Sequence, residues 1–249
     1  MEEKRIKKTN TCNKSNTIRI QKYISDMGVM SRRAAEKEIE SGNITLNGKS
    51  VKLGDKIDPK TDALLWKGKP IIEQNKKYYI LLNKPSGYIT SMKDEFGRKT
   101  VTSLLKDIPY RIYPVGRLDY LSEGALICTN DGEFANNVIH PSHAHEKKYI
   151  VNAMGDVSSQ QLETINSMKS LDGESIFPVT VKIIKKSDKH TVLQFTLTEG
   201  KNRQIRRMCE IANIKVMQLK RISIGNVKLG PLPVGSWRFL TSEEIKSFR

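Results

Sequence analysis

SRRAAEKEIESGNITLNGK, residues 31–49, reads as a helix that ends in a hairpin. Ser31 stands where a side-chain oxygen caps a first turn, Ala35 and Ile39 share one face, and Gly42 stops the helix. Ile44 and Leu46 then alternate into Asn47-Gly48, the dipeptide that suits a two-residue hairpin, and the chain returns through Val51 and Leu53. Just upstream, Ile20, Tyr23, Ile24 and Met27 fall at i, i+3, i+4 and i+7, which predicts a short amphipathic helix closed by Gly28. Residues 18–60 are therefore expected to form one small unit: helix, helix, hairpin.

Outward from this unit the composition changes in both directions. Residues 1–17 carry Lys4, Arg5, Lys7, Lys8 and Lys14 with almost nothing to bury, as expected of a disordered basic arm. Residues 61–75, near Pro59 and Pro70, read as a linker holding at most one edge strand. From Tyr78 the apolar density rises. Strand-like runs are predicted at 78–82, 148–152, 179–184, 192–198, 216–220 and 237–240, with helices near 131–139, 158–168 and 202–212. Thr241 and Glu244 are spaced as a capping box for a last short helix. Few of these strands are joined by helical crossovers. Residues 76–249 are accordingly expected to form an α+β domain with a mostly antiparallel, mixed sheet rather than a doubly wound one.

The chain has 249 residues, and its 43 Lys plus Arg against 27 Asp plus Glu give a formal charge of +16. Such an excess favours a polyanionic partner, through phosphate neutralisation and counterion release. RNA, DNA and an anionic membrane all satisfy that condition. The longest apolar run, residues 78–82, is far shorter than the roughly 20 residues of a membrane span, and no hydrophobic signal core or long basic amphipathic helix is visible. Cys12, Cys128 and Cys209 are odd in number and widely spaced, which suggests neither a disulfide framework nor a zinc site. A reducing cytoplasm is the expected compartment, and a monomer the default state.

Four blocks carry the chemistry. Residues 117–132, RLDYLSEGALICTNDG, contain Arg117, Asp119, Ser122 and Gly124; an Arg-x-Asp triplet alone is a common loop ion pair. Residues 145–151 are HEKKYIV, residues 199–210 are EGKNRQIRRMCE, and residues 81–91 are LLNKPSGYITS. In this order and spacing they resemble the RsuA/RluB/RluE/RluF family of bacterial ribosomal-RNA pseudouridine synthases, and look most like its RluF/RluB large-subunit branch. Residues 18–59 likewise resemble the small RNA-binding domain first known from ribosomal protein S4. Together the resemblance spans roughly residues 18–245. Leu121, Glu123 and Ala125 depart from common residues of that family, which bears on loop packing and substrate choice.

The resemblance implies roles residue by residue. Asp119 would be the catalytic carboxylate, Tyr149 the aromatic that stacks on the target base, and Arg206 the guanidinium beside Asp119, with Arg203 as the other candidate. Arg117, Lys84 and Arg203 would lie near the active cleft and meet substrate RNA. Arg19, Lys22, Arg32, Arg33, Lys37 and Lys49 would grip folded RNA, a ribosomal stem-loop, through phosphates and shape. The implied reaction breaks a glycosidic bond, turns the uracil and rejoins it through carbon. No redox change occurs, so no metal, nucleotide or flavin cofactor is required. A carboxylate serves by attacking the sugar carbon or by removing a sugar proton. A guanidinium nearby favours its ionised form, and the uridine must first be flipped out of its stack.

Other readings compete. Tyr149 also suits an ordinary buried strand position, Cys209 a buried inert thiol, and His140, His143 and His145 a surface loop rather than a metal cluster. An RNA-binding ribosome assembly factor without activity would be expected to lack the aspartate, tyrosine or arginine, and all three are present. A glycosidase would need a second carboxylate opposite Asp119, and none is evident. An aminoacyl-tRNA synthetase would carry a nucleotide-binding signature, and none is seen.

Overall fold

Ile20, Ile24, Ala35, Ile39, Ile44 and Leu64 are buried in one core, and the elements that carry them form the first of two units, which divide at residue 75. This computed structural model describes residues 17–72, 76–187 and 189–249; the basic arm, apart from Thr17, lies outside them. In chain order the first unit contains β1 (Ile18–Arg19), α1 (Ile20–Asp26), α2 (Arg32–Glu40), β2 (Ile44–Leu46), β3 (Lys49–Ser50), β4 (Lys56–Ile57), β5 (Leu64–Trp66) and β6 (Lys69–Pro70). Ser31 accepts from the Ala34 amide at 3.1 Å, and Asn47 and Gly48 both adopt the positive φ that their hairpin turn needs.

Residues 61–75 are not simply a linker. Strand β2 pairs with β3 on one side and with β5 on the other, Ile44 opposite Trp66, and β6 completes a sheet of order β3-β2-β5-β6. The Trp66 indole donates to Glu38 on α2 at 2.7 Å, and the Asn47 side chain holds both Asp62 and the Ala63 amide. The Trp66 hydrogen bond in turn keeps the Glu38 carboxyl below its ordinary range. The physical reason for the difference is that β2 has two edges, and LLWKGKP supplies its own hairpin, with Lys67 and Gly68 at positive φ. Pro70 is tolerated because β6 is an outer strand, where a missing N–H breaks no ladder.

The second unit contains β7 (Tyr79–Lys84), β8 (Tyr113–Pro114), β9 (Ser122–Thr129), α3 (Gly132–Ile139), β10 (Lys147–Met154), α4 (Ser159–Asn166), β11 (Ser170–Leu171), β12 (Glu174–Ser175), β13 (Thr180–Lys186), β14 (His190–Leu197), α5 (Gln204–Ile211), β15 (Val216–Ile224), β16 (Val227–Lys228), β17 (Trp237–Phe239) and α6 (Ser242–Lys246). Its main sheet runs β13-β14-β10-β15-β9-β7-β17, with β16 joined to β15 and β8 to β9. The strand pairs are antiparallel except β15 with β9. This is the mixed, mostly antiparallel α+β sheet expected of the sequence.

Strand β9 was not among the expected strands, yet it is central. Leu126 and Cys128 face one core together with Ile80 and Leu82 of β7, while Ala125 and Ile127 face a second with Leu81. Burial on both faces erases the alternation that marks a half-exposed strand. Helix α5 covers the first core with Ile205, Met208 and Cys209, and α3 covers the second with Phe134, Ala135 and Val138. The capping box of Thr241 and Glu244 is formed at α6. No helix among the described residues is long and apolar enough to cross a membrane.

Candidate active site

The loop that carries Asp119 is fastened at successive residues. Thr90 donates to the Leu118 carbonyl at 2.7 Å and accepts from the Leu118 amide at 3.2 Å. The Ser122 amide donates to the Asp119 carbonyl, and the Gly87 amide to that of Tyr120. From α5, Arg206 Nη2 donates to the Leu121 carbonyl at 3.1 Å. The half-buried Asp119 side chain is thus presented by a backbone with little freedom, just before β9 begins.

Lys84 belongs to this clamp, not to the RNA surface. It is fully buried at the end of β7, and its ammonium donates to the carbonyls of Pro85, Asp119 and Ser122 at 3.0, 3.1 and 2.7 Å, with Tyr120 at 3.4 Å. The expectation that it meets substrate is corrected by this geometry: no part of the side chain reaches solvent, and its donors are already engaged. Burial pulls its pKa down to about 8, opposed by the charges of Asp119 and Glu123.

Asp119 opens onto a cleft of about 320 Å³, a size in the usual range for small-ligand sites. Tyr149, Arg117, Arg203, Lys147 and Arg221 also line it. The cleft lies beside a short parallel ladder: β15 and β9 pair only over Leu219–Arg221 against Ser122–Gly124. Tyr149 is 7% exposed on β10 and sits directly across the ladder from Arg221 on β15. Lys147 donates to the Thr198 carbonyl at 2.8 Å, and its pKa is lowered to about 8 by burial and then by the charge of Arg221.

Residues 78–211 match the family of RNA pseudouridylate synthases, and residues 18–62 match the S4 domain. The chain is 42% identical over 230 residues to an RNA pseudouridine synthase of Aquifex aeolicus, covering 92% of each. It is 39% identical to the ribosomal large subunit pseudouridine synthase B of Bacillus subtilis, over 93% of this chain and 95% of that protein. It is 35% identical to the dual-specificity RNA pseudouridine synthase RluF of Escherichia coli K12, over 92% and 77%. The chain belongs to the RNA pseudouridylate synthase family. A crystal structure of a pseudouridylate synthase superposes with a TM-score of 0.67 at 27% identity, covering 93% of this chain and all of that one.

In this synthase Arg206 does not touch the Asp119 carboxylate; its guanidinium is spent in part on the Leu121 carbonyl, and its Nε is buried without a partner. The two charges nevertheless act on each other. Arg206 is held below its ordinary pKa by burial and then by Arg203, while Asp119 pulls the other way. Arg203 is exposed, at φ +48 ahead of α5, and lines the cleft. Glu199, which opens the run EGKNRQIRRMCE but was assigned no role, also lines it; its Oε1 accepts from the Phe177 amide and the Gln204 amide group, both at 2.9 Å, so it orders the turn into α5.

Arg221 is the residue that sequence reasoning missed. A signal was available: in the strand VMQLKRISI, alternation puts Arg221 on the same face as the buried Leu219, and an unpaired cation is rare there. Its Nε donates to the Ala125 carbonyl at 2.6 Å. On the S4 unit, Arg19, Lys22, Arg32, Arg33, Lys37 and Lys49 are all exposed, and Lys22 pairs with Asp26 at 2.6 Å. His140, His143 and His145 lie with neighbouring rings 5.8–5.9 Å apart, and among the described residues no group of three His, Cys, Asp or Glu is arranged to hold a metal ion.

Proposed function

We propose that this synthase converts a uridine of ribosomal RNA, in the large subunit, to pseudouridine, with Asp119 as the acting carboxylate. The observation that carries the reading is that Asp119 and Tyr149 line one cleft whose remaining wall bears Arg117, Arg203 and Arg221. The C1′–N1 bond breaks, the uracil turns, and C5 joins C1′; the C5 proton departs and N1 takes one, so electrons balance without an oxidant. Asp119 serves this exchange by attack on the sugar carbon or by removal of a sugar proton. Tyr149 holds the flipped uracil by stacking, worth about 1–3 kcal/mol per base. Arg117, exposed at the mouth, fills the vacated stack or holds phosphate, and Arg206 supplies the positive field behind Asp119.

The S4 unit grips folded RNA through its exposed basic side chains, and the enzyme works as a cytoplasmic monomer. The large-subunit preference is supported by the name of the Bacillus subtilis relative. The test is a pseudouridine map of ribosomal RNA from cells with the gene, without it, and with Asp119→Asn. One large-subunit position should be lost without the gene and stay lost with the Asn variant, which keeps side-chain volume but removes the carboxylate. An unchanged map would overturn the reading, and loss at a small-subunit position would overturn its substrate half.

A further inference from the structure

Arg221 sits at a three-strand junction. Across the ladder on one side it faces Tyr149 of β10, and on the other it faces Gly124 of β9. The register of β10 against β15 shifts between Lys148, which faces Ser223, and Tyr149, which faces Arg221, so Ile222 of β15 is the extra residue. The strand that carries the extra residue is the one that bends, and here it is β15, which bears Arg221. The guanidinium is anchored at Nε by the Ala125 carbonyl, lies 5.9 Å from the centre of the Tyr149 ring, and places Nη1 3.4 Å from the Tyr149 hydroxyl. Its Nη2 is buried without a hydrogen-bond partner.

This arrangement is poor as a purely structural device. A buried guanidinium with an unmet N–H costs free energy that an apolar side chain in the same strand would not. Of the other lining cations, Arg117 and Arg203 are exposed and Lys147 is half-buried, whereas Arg221 is 4% exposed and fixed. A group so placed cannot sweep out to RNA; what it can reach is Tyr149. We infer that Arg221 is the positioning residue for Tyr149, holding the phenol hydroxyl from beneath so that the ring keeps its angle when a base enters the cleft. The inference rests on the reading of Tyr149 as the stacking platform.

The test is a double-mutant cycle read as single-turnover pseudouridine formation in a ribosomal RNA fragment, at saturating enzyme, with the full chain. Arg221→Met should slow the parent about tenfold, the scale of losing a hydrogen bond to a charged group, but should slow the Tyr149→Phe protein far less because the hydroxyl is already gone. RNA affinity should change little in either background, so the loss appears in the rate and not in binding. Arg221→Lys keeps the charge without the fork, and is run through the same cycle to decide the matter should the Met variant not fold. Equal slowing in both backgrounds overturns the inference, since a structural role would add independently of the hydroxyl. Tyr149→Ala separates the two failures: if it converts uridine at the parental rate the stacking reading itself falls, whereas loss with an additive cycle removes only the role of Arg221.

Discussion

Lys84 Nζ lies 2.7 Å from the Ser122 carbonyl, so a fully buried cation at the end of one central strand grips the first residue of the next. The same ammonium holds the Asp119 carbonyl at 3.1 Å, which makes the position of the carboxylate depend on a residue that never meets solvent. Lys84→Met keeps the length and removes the donors. It should lower the melting temperature and the single-turnover rate together, since each stranded carbonyl costs on the order of 1 kcal/mol. RNA affinity measured by filter binding should stay near that of the parent; a loss confined to affinity would return Lys84 to the RNA surface.

The two lysines with lowered pKa values give opposite pH trends for stability and activity. Lys84 and Lys147 both titrate near 8 in the folded chain, against an ordinary value of 10.5. Between those values the unfolded chain binds more protons, so their contribution makes stability rise with pH across that window, and their cost is fully present below about pH 8. Deprotonation also takes donors from the clamp on the Asp119 loop. Single-turnover rates should therefore fall with an apparent pKa near 8 while the melting temperature does not fall in step. A rate flat to about pH 10 would show that the charged form of neither lysine matters.

Gly124 leaves no space for a side chain. A Cβ built there would collide with the backbone carbonyl of Arg221, and the residue lies at φ +101. Gly124→Ala must push β9 from β15 at their only paired segment, so it should destabilise the second unit by roughly 3 kcal/mol, combining overpacking with backbone strain. Chemical denaturation checks the value. A change below about 0.5 kcal/mol, the ordinary surface range, would mean that the strands part without cost.

Arg206 and Arg203 are separated by their attachments. Arg206 is half-buried, tied to the Leu121 carbonyl and electrostatically coupled to Asp119, whereas Arg203 is exposed at the rim. Arg206→Met should cost most of the activity at saturating RNA, and Arg203→Met should chiefly raise the RNA concentration needed. Rates and half-saturation values for both variants decide it, and the reverse pattern would exchange the two roles.

Arg32, Arg33 and Lys37 project from α2 into solvent. If they neutralise phosphates, replacing all three by Gln should weaken RNA binding and make the logarithmic salt dependence shallower by about 2–3, at roughly 0.7–0.9 per lost contact. Titrations at several salt concentrations measure the slope. An unaltered slope would move the phosphate contacts off this helix.

Much of the first unit was legible because its signals are local: the stripe of Ile20, Tyr23 and Ile24, the Ser31 cap and the Asn47-Gly48 turn act within a few residues of themselves. The hairpin of Leu64–Trp66 and Lys69–Pro70 was hidden because its reason for being a hairpin lies at Ile44, across the sheet, and Pro70 disguised it as connector. The candidate site divided in the same way. Asp119, Tyr149 and Arg206 stand in recognisable runs, but nothing near Lys84 in the chain says that four carbonyls surround it, since three of them, at Asp119, Tyr120 and Ser122, come from 35 to 38 residues away.

The two-unit order, the mostly antiparallel α+β class, and the caps and turns were legible in the chain because propensity, capping and periodicity operate over short spans, while Asp119, Tyr149 and Arg206 were marked by the resemblance of their runs to a known family. That β9 is a central strand buried on both faces, that Lys84 is a clamp, and that Arg221 faces Tyr149 across the ladder emerged from the folded chain alone. Those facts depend on which strand pairs with which, and in what register. Such pairing is settled by burying apolar faces and matching backbone hydrogen bonds between segments nearly a hundred residues apart, as Gly124 and Arg221 are.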